Sequence, residues 1–328
     1  MKMRYSLLCS IFLVLFYALF YIRVIMTRKE SQVIKGTNLN APYKGATQLT
    51  LFVSYWADHS NKPHLHRREI EAAIAVNIAN CEIGRVVVLL DSSNFLYNCS
   101  RFAQEIQLKL SLLSAKCASQ FECLDRYEGQ PSYYDIFSYA KNLGLERSIY
   151  IVANADMVFD ETIGLARKLS KKVLLVLGTQ GMHSGTPADI LRSYKKLTGF
   201  GTLPSLPNLC KRRNSWDAWI FHPNDIELNK RYFRDSQTKL LFYMNQNRAE
   251  NSALNALLES SKGLISHNAC DFIHAWHFHG AAKTHKKGVG AVVHKRSKPS
   301  TCSSVQHCLH YTKENEESIL SRRRVGEE

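Results

Sequence analysis

The segment Ile151-Val-Ala-Asn-Ala-Asp-Met-Val-Phe-Asp160 runs from an apolar stretch into Asn154, Asp156 and Asp160. Oxygen donors at the end of an apolar strand suit a hard divalent cation, and a cation held there could bridge a pyrophosphate. The competing reading is structural: Asp156 caps a turn, and Asp160, the better cap of the two, starts a helix over TIGLARKL. A second candidate is Asn214-Ser-Trp-Asp-Ala-Trp-Ile-Phe221, where Asp217 stands between Trp216 and Trp219. Tryptophan offers a flat apolar face on which a sugar ring stacks, and a carboxylate accepts a hydroxyl hydrogen bond. The alternative is that both tryptophans belong to the core. The third candidate is His274-x-x-His277-x-His279, with His267 and His285 nearby. On a strand, His277 and His279 share a face and reach one metal, zinc or manganese by ligand type. No HExxH or paired-cysteine context accompanies them, so a solvated histidine patch is the competing reading.

These groups need a sheet edge to stand on. The runs LTLFVSY (49–55), RVVVLLD (85–91), SIYIVANAD (148–156), VLLVLG (173–178) and DAWIFHP (217–223) read as strands, with 121–124 as a short one. Between them fall stripes at three-and-four spacing: Ile70, Ala73, Ile74 and Ile78; Phe102, Ile106, Leu110 and Leu113; Tyr133, Ile136, Phe137 and Ala140; Glu250, Ala253, Leu254 and Leu257. Near-continuous apolar strands alternating with helices predict an α/β fold whose mainly parallel central sheet is covered by helices on both faces. Such folds bind ligands at the carboxyl ends of their strands, which is where Asn154 and Asp156 fall.

Tyr5 to Ile22 is an uncharged run of eighteen residues, as a helix about the thickness of bilayer hydrocarbon. No small-residue cleavage pattern comes after it, which predicts an uncleaved signal anchor. The chain then divides into a cytoplasmic tail (1–4), a transmembrane anchor (5–26), a stem (27–48), a catalytic domain (49–285) and a basic, flexible tail (286–328). Of nine cysteines, only Cys9 lies in the anchor. An even number beyond it suits an oxidising lumen, and Asn98-Cys99-Ser100 is a glycosylation sequon. The expected location is the Golgi or endoplasmic reticulum membrane, single-pass, with the large domain lumenal. Hydrophobic residues at 45% and charged residues at 22% exclude a disordered or multi-span chain. A net charge of +15 favours an anionic partner, yet no RNP, zinc-finger or helix-turn-helix pattern is present, so nucleic acid is not expected.

In order along the chain, VSYWADHSN, SYYDIFSYA, IVANADMVFD, SWDAWIFHP, RAENSALNALL and HAWHFHG resemble a family of glycosyltransferase-like proteins, from about Leu49 to His279. The resemblance implies a GT-A-type nucleotide-diphospho-sugar transferase domain, with Asn154 and Asp156 at the metal-binding acidic motif. They would meet the donor with Tyr55 and Trp216. Asp217 and Glu250 would be catalytic, and Asp156, His277 and His279 would hold a divalent metal, manganese or alternatively magnesium. Two departures stand out: Asn154 replaces the first Asp of the usual acidic motif, and Ala249-Glu250-Asn251 stands where the family has Cys-Asp-Asn. The implied activity is transfer of a sugar from a nucleotide-sugar to a hydroxyl of a glycan or glycoprotein. The alternative is a catalytically inactive, membrane-tethered glycan-binding protein that uses the basic run Lys283, Lys286, Lys287, Lys295, Arg296 and Lys298. For the topology, endoglycosidase is expected to increase the gel mobility of the chain expressed in secretory cells. Asn98→Gln should abolish that change, and an unmodified wild-type Asn98 would contradict a lumenal domain.

Overall fold

The computed structural model describes residues 32–34, 47–56, 65–91, 98–113, 117–126, 131–145, 148–178, 180–182, 216–234, 241–243, 249–278, 299–302 and 304–310. The chain divides into a unit 1–32 and a unit 33–328, the second containing the described helices and, apart from Gln32, the described strands. The expected anchor, His279, His285 and the basic run 283–298 lie outside the described residues. Among the described residues no helix is long and apolar enough to cross a membrane.

The strands are β1 (Gln32–Ile34), β2 (Gln48–Trp56), β3 (Arg85–Asp91), β4 (Gln120–Arg126), β5 (Ser148–Asn154), β6 (Met157–Phe159), β7 (Val173–Leu177), β8 (Gln180–Met182), β9 (Ala218–Phe221), β10 (Ile265–Asn268), β11 (Ala275–Phe278) and β12 (Ser300–Thr301). Nine of them form one sheet in the order β1-β4-β3-β2-β5-β9-β7-β10-β12, and β6-β11-β8 form a second. Pairing is parallel from β4 through β3 and β2 to β5, and again from β7 through β10 to β12. Strand β9 alone among these runs antiparallel to both its neighbours, β5 and β7.

Period-two alternation sends each central strand's side chains to two apolar layers. Leu49, Leu51, Val53 and Tyr55 pack on one face with α1 (Leu65–Ile78) and α2 (Cys99–Leu113). Phe52, Tyr150, Val152 and Trp219 pack on the other with α3 (Tyr133–Asn142) and α4 (Ala249–Ser260). Burial on both faces is why these strands read as unbroken apolar runs. The helices start where the sequence supplies acceptors for free N–H groups. Ser132 and Asp135 form a capping box on α3. Asn98 Oδ1 accepts the Arg101 N–H at 3.1 Å, and Asp125 Oδ1 accepts the Cys99 N–H at 2.9 Å at the head of α2.

Asp160 acts as the cap its spacing suggested, its side chain accepting the Thr162 N–H at 2.9 Å. The element it starts, Glu161–Lys168, is a 3-10 helix. Disulfides join Cys81 to Cys117, Cys99 to Cys123 and Cys302 to Cys308. Cys270 is disulfide-bonded as well, with its partner outside the described residues.

The expected domain end at residue 285 falls short. Strand β12 pairs with β10, and Cys308 and Leu309 of α5 (Val305–Leu309) are buried in the first apolar layer. A disulfide and sheet hydrogen bonds hold this segment where its sequence has few apolar residues to do so. Against it sits His267, only 1% exposed, with Nδ1 2.5 Å from Ser300 Oγ. Burial, and then the nearby His307, lowers its pKa from the usual 6.5 to about 4. Because the unfolded chain binds this proton more readily, the neutral ring's contribution is full above pH 6.5 and is lost as pH falls toward 4. The loss amounts to about 3 kcal/mol. Denaturant unfolding of His267→Gln should show a flatter stability profile over that window than wild type, and parallel profiles would contradict the assignment.

Candidate active site

Strand order fixes where the connections reverse direction. From β2 the chain moves outward to β3 and β4, then β5 comes back to pair on the other side of β2. The carboxyl ends of β2 and β5 therefore flank a topological switch point, the usual ligand position in open α/β sheets. Ser54 and Asn154 are register partners at those ends. By alternation both share the face of Phe52 and Val152, which α3 and α4 cover.

The reversed direction of β9 brings a carboxylate to the same edge. A parallel strand would arrive there with its last residues, whereas β9 begins there, just after Asp217. The Asn154 N–H donates to the Asp217 carbonyl at 3.0 Å, and the Asp217 N–H donates to the Leu177 carbonyl at 3.0 Å. Asn154 Nδ2 then donates to Asp217 Oδ1 at 3.1 Å, so the amide faces a carboxylate that is only 4% exposed. Apolar burial disfavours such a charge, and the Asn154 amide offsets part of that cost.

The helices over this face complete the cluster. Tyr133, the first residue of α3, is fully buried with its ring edge-on to Trp219 at 5.1 Å. Its phenol pKa is raised well above 10 by burial, then by the charge of Glu250, then by that of Asp217. Glu250 lies in the first turn of α4. The two carboxylates expected to be catalytic thus act on one phenol, and Asn154 binds one of them.

Asp156 sits in the tight turn between β5 and β6 and is 8% exposed. The residue after it, Met157, pairs with His277 of β11, so Asp156 adjoins the backbone position of His277. The side chain of His277 and all of His279 lie outside the described residues. Among the described residues no set of three or more His, Cys, Asp or Glu side chains is placed to hold a metal ion. His274 is engaged elsewhere: its Nδ1 is 3.2 Å from Asp160 Oδ2, and its N–H donates to Thr162 Oγ1 at 2.8 Å.

Trp216 and Trp219 are both buried in the apolar layer of the site's face, as the core reading had it. Tyr55 departs from expectation. It is fully buried on the opposite face, 5.1 Å from the Phe102 ring, because alternation turns it away from Ser54. Sequence reasoning missed Ser54 and Tyr133. It also passed over Asp91, a 2% exposed carboxylate ending β3 opposite Trp56, although an acidic residue closing an apolar strand is the signal that singled out Asp156.

No family model matches the chain. No curated protein matches it either. Among solved structures it is similar to mannose-6-phosphate isomerase from Helicobacter pylori, at 11% identity over 42% of this chain and 53% of that one, with a TM-score of 0.28. HddC from Yersinia pseudotuberculosis aligns at 16% identity over 40% and 58%, with a TM-score of 0.24. UDP-glucose pyrophosphorylase complexed with UDP-glucose aligns at 12% identity over 40% and 56%, with a TM-score of 0.23. This chain spans little more than half the length of each, and likeness this low carries no argument about its function.

The contact between Asn154 and Asp217 yields a direct test. Asn154→Ala should cost about 1–3 kcal/mol in denaturant unfolding, since a buried carboxylate loses a partner. Asn154→Asp should cost more at neutral pH than in acid, because two adjacent carboxylates repel when both are ionised. Equal costs at the two pH values would contradict the contact.

Proposed function

We propose that the protein transfers a sugar from a nucleotide-sugar donor to a hydroxyl of a glycan or glycoprotein, with its large domain in the lumen of the Golgi or endoplasmic reticulum and residues 5–26 as anchor. The observation that carries this reading is the convergence of Asp217, Glu250 and Asn154 at the switch-point edge. The disulfides suit the oxidising compartment.

Asp156, His277 and His279 are the residues that would hold a divalent cation. Carboxylate oxygen with imidazole suits manganese, magnesium being the alternative, and the pairing of Met157 with His277 supports bringing the first two together. When bound, such a cation offsets negative charge on the donor's diphosphate. The chain's own residues supply the rest. In an inverting reaction the acceptor hydroxyl gives its proton to Asp217 or Glu250 as its oxygen bonds to the sugar's anomeric carbon and the bond to the diphosphate breaks. The Asn154 amide fixes the orientation of the Asp217 carboxylate meanwhile. Two residues that depart from the family pattern keep a part in this reading: Asn154 donates a hydrogen bond to Asp217, and the charge of Glu250, in the first turn of α4, acts on the Tyr133 phenol.

The test is a panel of nucleotide-sugars with detergent-solubilised full chain and manganese. Hydrolysis or transfer from at least one donor is expected, falling by about a hundredfold or more in Asp217→Asn. Neither turnover nor binding across the panel would contradict a transferase.

A further inference from the structure

We propose that Tyr133, Asp217 and Glu250 form a subsite for an uncharged sugar hydroxyl, in which the Tyr133 phenol donates a hydrogen bond to the same ligand oxygen that donates its own proton to a carboxylate. This deepens the transferase reading and rests on it for the claim that the sugar is the acceptor.

Packing holds the Tyr133 phenol in place. The residue is fully buried, its ring wedged edge-on against Trp219 at 5.1 Å and stacked near Phe137 at 6.4 Å. Its backbone N–H is tied to the Phe242 carbonyl at 2.8 Å. The hydroxyl oxygen at the end of this ring is itself buried and has no hydrogen-bond partner among the described residues. Burial without a partner is unfavourable, and an unpaired buried group in a native protein calls for a cause, a catalytic role being one. Because burial and two nearby carboxylates disfavour the phenolate, the O–H remains available as a donor.

The neighbouring charges then select the ligand. The charges of Glu250 and Asp217 both act on the phenol. A phosphate placed there would be repelled by two carboxylates. An ammonium would satisfy the carboxylates but has no lone pair to accept from the phenol. A hydroxyl does both at one oxygen, accepting from Tyr133 and donating to Asp217 or Glu250. The donor's diphosphate is thereby excluded from this corner and left to the Asp156 side of the edge. Tyr133 would position the oxygen whose proton the carboxylate removes.

Tyr133→Phe deletes one oxygen and keeps the ring. The experiment is thermal unfolding of detergent-solubilised full chain, wild type and variant, with glucose, galactose, mannose or xylose, with inorganic phosphate, and separately with nucleotide-sugars. The variant alone should melt at or above the wild-type temperature, since no partner is lost. At least one monosaccharide should raise the wild-type melting temperature, phosphate should not do so through this subsite, and the variant should bind that sugar about tenfold more weakly. Nucleotide-sugar shifts should be equal in the two proteins. Glu250→Gln, which keeps the shape, provides a second variant and should likewise weaken the monosaccharide and spare the nucleotide-sugar. An intact monosaccharide response in Tyr133→Phe, or nucleotide-sugar shifts in a wild type that responds to no monosaccharide, would overturn the subsite while leaving the transferase reading in place. A monosaccharide response lost in the variant, with no nucleotide-sugar binding in either protein, would support the subsite and overturn transfer.

Discussion

A carboxylate set among apolar layers is tolerated only if it is met by hydrogen bonds, and Asp217 is such a carboxylate. The partner shown is the Asn154 amide, and it reaches Asp217 because β9 runs against β5. Turning that one strand around converts the carboxyl edge of a parallel sheet into a place where the end of one strand and the start of another meet. The rest of the site depends on this meeting. Tyr133 packs edge-on to Trp219, two residues beyond Asp217, and α4 supplies Glu250 to the same face.

Most of the central architecture was legible. The runs at 49–55, 85–91 and 173–178 and the stripes of α1 to α4 match the observed elements closely, because strands buried on both faces and helices buried on one carry strong periodic signals. The small sheet carried no such signal: Met157–Phe159 and Gln180–Met182 are three residues each, too short for any period. The direction of β9 was equally hidden, since an apolar run reads the same both ways. The pairing of the C-terminal segment with β10 was not legible, because a disulfide and sheet pairing, rather than apolar content, hold it.

The candidate site was legible in part. Asn154, Asp217 and Glu250 were singled out from separate segments, and the topology brings them together. Tyr55 was a misreading that alternation explains: next to Ser54, it points into the opposite layer. Tyr133 could not have been found by pattern, because within a helical stripe an aromatic residue reads as core. Here it is core by packing and polar by its one buried oxygen, and only the position of the two carboxylates reveals the difference.

Donor and acceptor are proposed to meet at the carboxyl ends of β2 and β5. A structure of the full chain bound to a nucleotide-sugar tests this most directly. The expected result is the diphosphate toward Asp156, with the corner of Asp217 and Glu250 left to the acceptor. Ligand bound at the amino ends of these strands, or on the layer built by α1 and α2, would contradict it.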